Sequence, residues 1–351
     1  MKVHRPYVLT SLCALSIVTA LACNKANSGN QSLTGKAGNM PNVSSNPSSD
    51  LKFLTFGPQQ NKTAPGVALT DIVSHLPASY GNTYYDSNLV TWGHETSHGI
   101  SAHLRNNFNT TGRNANAFYV MGDQAVVVAE PKILKRQVGP YVPATLRGSR
   151  YSLYIEGQAA WDGQPLYILD EFNAYTNGAA VAVDLQKNDL WTYGKQDVLS
   201  GMVEFVSYSL ALGRAVEAKD SEYFQTYPQF AAFLGYAIER AMTTYRAGSH
   251  IPDFQFTKQD ELLLTLQTGD EGNDLRSFAA NLYGQDWVDR VLLASTNATP
   301  AESDEKVKKD DDDNDSDGIV NRLDKCPHSA TGKKVWTYGD WIGCGEGEER
   351  S

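Results

Sequence analysis

Clusters of basic residues are missing from this sequence. Its 30 Lys and Arg stand against 40 Asp and Glu, for a formal net charge of −10. Neutralising nucleic-acid phosphates needs concentrated positive charge, so nucleic acid is excluded as a partner. Long apolar runs are also absent. The stretch Val8 to Leu21 is too short for a permanent bilayer-spanning helix, which takes roughly 20 residues. No repeat at solenoid spacing is present. Cysteine is scarce, at four residues, and histidine at seven, so two histidines close together carry information. What remains is a chain with 41% apolar and 20% charged residues, which fits a globular protein rather than a disordered one. Its 351 residues suffice for one large core with accessories.

The amino terminus reads as an export signal. Lys2, His4 and Arg5 precede the apolar stretch, and Ala20-Leu21-Ala22 is a small-x-small cleavage site. Residues 1–22 are therefore expected to be a signal peptide, with Cys23 directly after it. The arrangement resembles a bacterial lipoprotein signal, although Ala20 stands where that family usually has Leu. The resemblance implies a lipid on Cys23 and attachment to a membrane through it. Asn24, rather than Asp, after the cysteine resembles an outer-membrane address. Ordinary cleavage before Cys23, giving a periplasmic or secreted protein, is the alternative. Cysteine parity bears on the choice: Cys13 leaves with the signal, and if Cys23 carries lipid, Cys326 and Cys344 can pair. Residues 23–50 are rich in Ser, Asn and Gly and read as a disordered tether. They hold neither a compact core nor the cysteine switch of a pro-segment.

Residues 51–300 have a globular composition, and their periodicity predicts a mainly α domain with a small β element. Helices are expected over Asn88–Arg105, with Leu89, Trp92, Ile100 and Leu104 as buried positions, and from Pro165 to about Leu185. Others are expected over Val198–Ala218, Pro228–Ala247, Lys258–Gln267 and Leu275–Leu293. A hairpin is expected over Ala117–Ala129, turning at Gly122-Asp123.

The first of these helices contains His94-Glu95-Thr96-Ser97-His98. Histidines four apart on a helix are separated by about 40° around the axis and about 6 Å along it. Both imidazoles can therefore hold one ion, and Glu95 between them can take a proton from a water that the ion acidifies. The pattern H-E-x-x-H is the signature of zinc-dependent hydrolases. His103 is the nearest further histidine, but on a continuing helix it points about 140° away from His98, and metzincins place their third histidine one residue later. Leu169-Asp170-Glu171-Phe172-Asn173-Ala174 resembles instead the downstream glutamate helix of the gluzincin family. That resemblance implies a zincin-like fold, Zn²⁺ held by His94, His98 and Glu171, and Asp170 as a supporting or surface acid. Zinc hydrolases also stabilise an oxyanion, often with tyrosine. Tyr154, Tyr167 and Tyr175 flank the Glu171 helix, and Tyr167 and Tyr175 are the catalytic candidates, one turn either side of Glu171.

After a charged linker, residues 301–312, comes Asp313-Asn314-Asp315-Ser316-Asp317-Gly318, followed by Asp324, Cys326 and Pro327. Alternating carboxylates with a glycine at the turn suit Ca²⁺. Residues 313–345 resemble a single thrombospondin type 3 repeat, with Asn321 where that family usually has Asp. The resemblance implies Ca²⁺ on Asp313, Asp315, Asp317 and Asp324. A Cys326–Cys344 disulfide there closes a loop worth about 3 kcal/mol.

These readings predict a cell-envelope zinc metallopeptidase acting on a protein or peptide substrate, peptidoglycan peptides among them. A zinc amidase acting on cell-wall peptides or acyl groups is the second reading. A non-enzymatic calcium-binding envelope scaffold is the third.

Overall fold

The computed structural model describes residues 40–41 and 43–294, and the fold there is mainly helical with a small three-stranded sheet. The expected signal peptide, Cys23, the expected linker, the expected calcium ligands Asp313, Asp315, Asp317 and Asp324, and Cys326 and Cys344 lie outside the described residues. The packed region starts before Leu51. Met40 and Val43 lie against the core and Pro47 is buried, because these are the apolar side chains of an otherwise polar segment.

Three short strands form an antiparallel sheet in the order β1-β3-β2: β1 is Leu54–Thr55, β2 Ala115–Met121 and β3 Gln124–Ala129. Phe118 pairs with Val126 and Ala117 with Val127, and a bulge interrupts the ladder between Tyr119 and Met121. Period-two alternation sends the side chains into two different cores. Phe118, Val120, Val126 and Val128 enter the larger one, where Phe118 stacks on Phe233 at 4.2 Å. Ala117, Tyr119, Met121 and Ala125 enter a smaller core with Ile72, Ile100 and Leu104. The hairpin expected from sequence is there, and β1 adds an edge strand to it.

Two helices carry the H-E-x-x-H residues and Glu171. Helix α1, Val67–His75, precedes them. Helix α2, Leu89–Asn107, starts where Asn88 accepts from the amides of Val90 and Thr91 at 3.0 and 3.2 Å, the capping expected of Asn. Trp92, Ile100 and Leu104 are buried and Leu89 is half-buried. Helix α3, Tyr167–Lys187, is buried along almost its whole length and feeds both cores. The two helices cross at glycines. A Cβ on Gly93 would meet Val181 Cγ2 at 2.9 Å, and one on Gly178 would meet the Val90 carbonyl at 3.2 Å. Glu171, Ala174 and Gly178 follow a helical stripe, so this crossing also turns Glu171 toward α2.

The rest of the bundle supports α3. Helices α4, Ser200–Lys219, α5, Ser221–Thr226, α6, Pro228–Ser249, α7, Thr257–Thr268, and α8, Asn273–Tyr283, follow in order. The single helix expected over Leu275–Leu293 is broken: Gly284 at φ 93° ends α8, and the short α9, Gln285–Val288, follows. From α6, the buried Arg240 donates to Asn173 and Asn177 of α3, and Asn177 in turn donates to Ser97 Oγ of α2 at 2.8 Å. A polar network thus lies between these three helices, with Ser97 itself inside the H-E-x-x-H motif. Among the described residues no helix is long and apolar enough to cross a membrane.

Candidate metal centre

His94, His98 and Glu171 converge. Their facing atoms are His94 Nε2 and His98 Nε2 at 3.2 Å, His94 Nε2 and Glu171 Oε2 at 3.7 Å, and His98 Nε2 and Glu171 Oε2 at 3.6 Å. A tetrahedral ion with bonds of about 2.0–2.1 Å sets its donors about 3.3–3.4 Å apart. The three atoms thus have the spacing of one such coordination shell. Glu171 Oε2 is buried and has no hydrogen-bond donor, which is costly for a carboxylate oxygen and fits an oxygen meant for a cation. Two neutral imidazoles and one carboxylate make a donor set that suits zinc.

The neighbours orient these donors. Asp170 Oδ2 lies 3.1 Å from His98 Nδ1, so a proton on Nδ1 leaves the Nε2 lone pair facing the cluster. Asp170 is therefore a buried orienting acid and not a surface one. Burial, with His98 close by, drives His94 down to about 3, which keeps it a neutral donor. Burial disfavours a charged His98, but the Glu171 and Asp170 carboxylates outweigh it and raise His98 well above its ordinary value. Glu171 is buried too, yet His98, His94 and the Tyr167 hydroxyl hold its carboxyl below the ordinary value. The cluster as a whole attracts positive charge, which a bound cation supplies as well as a proton does.

Glu95, the acid between the two histidines, is exposed. Partial desolvation raises its carboxyl, with His98 opposing and Glu171 reinforcing the shift. It is the acid of the motif that does not join the three converging donors.

The tyrosines divide into two groups. Tyr167 is buried, stacks on Trp161 at 5.0 Å and hydrogen-bonds the Glu171 carboxylate. Tyr175 packs its ring edge against His94 at 4.6 Å, and its hydroxyl lies 3.2 Å from that of Tyr154. Arg150 sits over the Tyr175 ring at 5.0 Å. Glu204 holds Arg150 in place at 2.9 Å. Arg150 had no motif to mark it: it enters the site from an irregular segment, through a pairing with α4. His103 is not part of the cluster. Its ring packs against Phe56 and Phe108, and its Nδ1 meets Asn107 Nδ2 at 3.2 Å.

No protein-family model matches this chain, and no curated protein or solved structure matches it.

Proposed function

We propose that this chain is an exported zinc-dependent hydrolase, a metallopeptidase in which His94, His98 and Glu171 hold the ion and Glu95 moves the proton. The observation that carries this reading is the convergence of three donor atoms at 3.2–3.7 Å, with Asp170 behind one of them. A zinc ion held there would supply Lewis acidity, polarising a carbonyl and making water a better acid. The chain's own groups do the rest. Glu95, beside His98 and Glu171 and with a raised carboxyl, takes the proton of the attacking water and delivers it to the leaving amine.

The Tyr154–Tyr175 pair supports a role in stabilising the oxyanion. Two hydroxyls sharing one hydrogen bond leave one O–H unused. Burial, with Glu171 and Tyr175 adding to it, raises the Tyr154 phenol, so it stays protonated and remains a donor. Tyr154→Phe is expected to lower kcat by about 10² with KM nearly unchanged. Tyr167→Phe, which removes a partner of Glu171, is expected to weaken metal binding and to leave kcat of the loaded enzyme near wild type. Steady-state kinetics beside zinc titration separate the two, and equal kcat losses in both would remove this assignment.

The reading as a whole is tested on purified protein by metal analysis and a casein digest. One zinc per chain and cleavage lost on chelation and restored by zinc are expected. Protein that takes up no zinc, or cleaves equally with chelator present, would overturn it.

A further inference from the structure

A second group of ionisable side chains lies outside the site above: Asp71 and His75 on α1, and Asp123 on the β2–β3 turn. We infer that these three residues form a proton-operated latch, in which a charged His75 ties helix α1 to the β2–β3 turn. This does not depend on what the metal centre binds.

The turn needs holding. Met121, Gly122 and Asp123 follow one another at φ 70°, 61° and 60°, and two of the three carry side chains that disfavour this region. Such backbone persists only where its surroundings over-determine it. Here α1 and the residue after β1 do so: the Gly122 amide donates to Asp71 Oδ2 at 3.2 Å, and the Phe56 amide to the Asp123 carbonyl at 2.7 Å. His75 closes the arrangement. Its Nδ1 lies 2.6 Å from the Asp71 carbonyl and its Nε2 2.8 Å from Asp123 Oδ1.

Both of those oxygens are acceptors. A carbonyl never donates, and an ionised carboxylate only accepts. The ring therefore makes both bonds only when both nitrogens carry protons, that is, as imidazolium. His75 is 1% exposed and the Asp123 side chain 45%, so water reaches the carboxylate but not the ring, where Ser74 Oγ lies 3.4 Å from Nδ1. The titratable groups facing it are Asp71 on its own helix, Tyr119 on β2 and Asp123 on the turn. Just after β1 it meets the Phe56 ring. His103 of α2 touches the same Phe56, and Asp184 of α3 binds the opposite end of α1 at the Ala68 amide.

The pH sense follows from two shifts of one sign. Burial opposes a charged His75, but Asp123 and Asp71 outweigh it and raise the imidazole above its ordinary 6.5. Burial, partly offset by His75, pushes Asp71 up to about 6. Groups raised in the folded state favour it at low pH, and that contribution fades as pH rises through the folded values. The latch is closed in mildly acidic medium and loosens as His75 loses its proton.

Tyr119 connects the latch to the metal centre's helix. Its ring stacks on His75 at 4.6 Å and its hydroxyl donates to Asp71 Oδ1 at 2.8 Å. Its carbonyl accepts from Asn173 and Asn177 of α3 at 2.9 and 3.1 Å. Asp71 is also engaged at both oxygens, which argues for a hydrogen-bonded device rather than a second ion site.

The test is amide hydrogen exchange of the full chain between pH 5.5 and 8.5, divided by the intrinsic rates. Protection at Gly122 and Phe56 is expected to fall by up to about tenfold per pH unit above the folded His75 value. In His75→Gln it should be low and flat. Histidine ¹⁵N shifts of the wild type provide a check that needs no variant: two protonated nitrogens on His75 at pH 6 are expected. Flat wild-type protection, or a neutral ring at pH 6, overturns the latch. So does protection of the turn that appears only when zinc or calcium ions are added, which would make these residues a metal site.

Discussion

Glu95→Gln is expected to reduce kcat/KM for peptide hydrolysis by about 10³ and to leave zinc content unchanged. The loss lies inside the range of about 10²–10⁴ that a positioned acid–base group contributes. The retention follows from geometry, because the three donors that converge within 4.8 Å are His94, His98 and Glu171, and Glu95 is not among them. Glutamine keeps the size and a carbonyl acceptor but cannot take a proton. A fall in rate with the metal still bound therefore separates proton transfer from coordination. The pH profile gives a second reading. Partial desolvation raises the Glu95 carboxyl, so the base becomes competent only above that raised value. As pH falls through it, kcat/KM of the wild type should decline, with an inflection above the ordinary carboxylate value of 4.5. That inflection should be missing from the residual activity of the variant. Hydrolysis by Glu95→Gln at the wild-type rate would remove Glu95 from the mechanism.

How much of this was legible beforehand depended on whether the signal was local. The helix bearing His94, Glu95 and His98 was visible because its apolar residues repeat at helical spacing. The helix bearing Glu171 was visible from its own periodicity. Helix α1 was not, because its capping acceptor is distant: the Ala68 amide donates to Asp184 Oδ2 at 3.0 Å. The break at Gly284 was lost inside an apolar pattern that continues on both sides of it. In the site, the motif marked the donors but left the choice among supporting residues open. Asp170 could have been an exposed first-turn acid. Only the approach of α2 and α3 at Gly93 and Gly178 brings its carboxylate to His98. Tyr154 was one flanking tyrosine among three until its pairing with Tyr175 set it apart. The His75 latch joins a helix, a strand and a turn through contacts with little local pattern. Buried polar arrangements of this kind appear when the elements pack, and each member by itself looks like an ordinary Asp or His.

Glu171→Ala is expected to weaken zinc binding by about 10³, the largest effect on the metal of any substitution outside the two histidines. Apparent zinc binding free energies run to about 10–16 kcal/mol for complete protein sites, so losing one donor of three or four costs about 4 kcal/mol. The variant also strips Tyr167 of its hydrogen-bond acceptor and His98 of the carboxylate 3.6 Å away, so the remaining donors lose orientation as well as number. Asp170→Asn makes the contrast. It removes only the carboxylate behind His98, and second-layer changes cost about 10- to 100-fold. Thermal melting read against zinc concentration measures the series without any assay of hydrolysis. An ion bound only to the folded state stabilises it by about 2.7 kcal/mol at a concentration 100 times its Kd. At the zinc concentration that gives this shift in wild type, Asp170→Asn should show part of it and Glu171→Ala essentially none. The metal-free variants should still melt cooperatively, because Gly93, Gly178 and the Arg240 network hold α2 against α3 without the ion. If Glu171→Ala kept both stoichiometric zinc and the wild-type shift, the third donor would lie elsewhere and the site drawn here would be wrong.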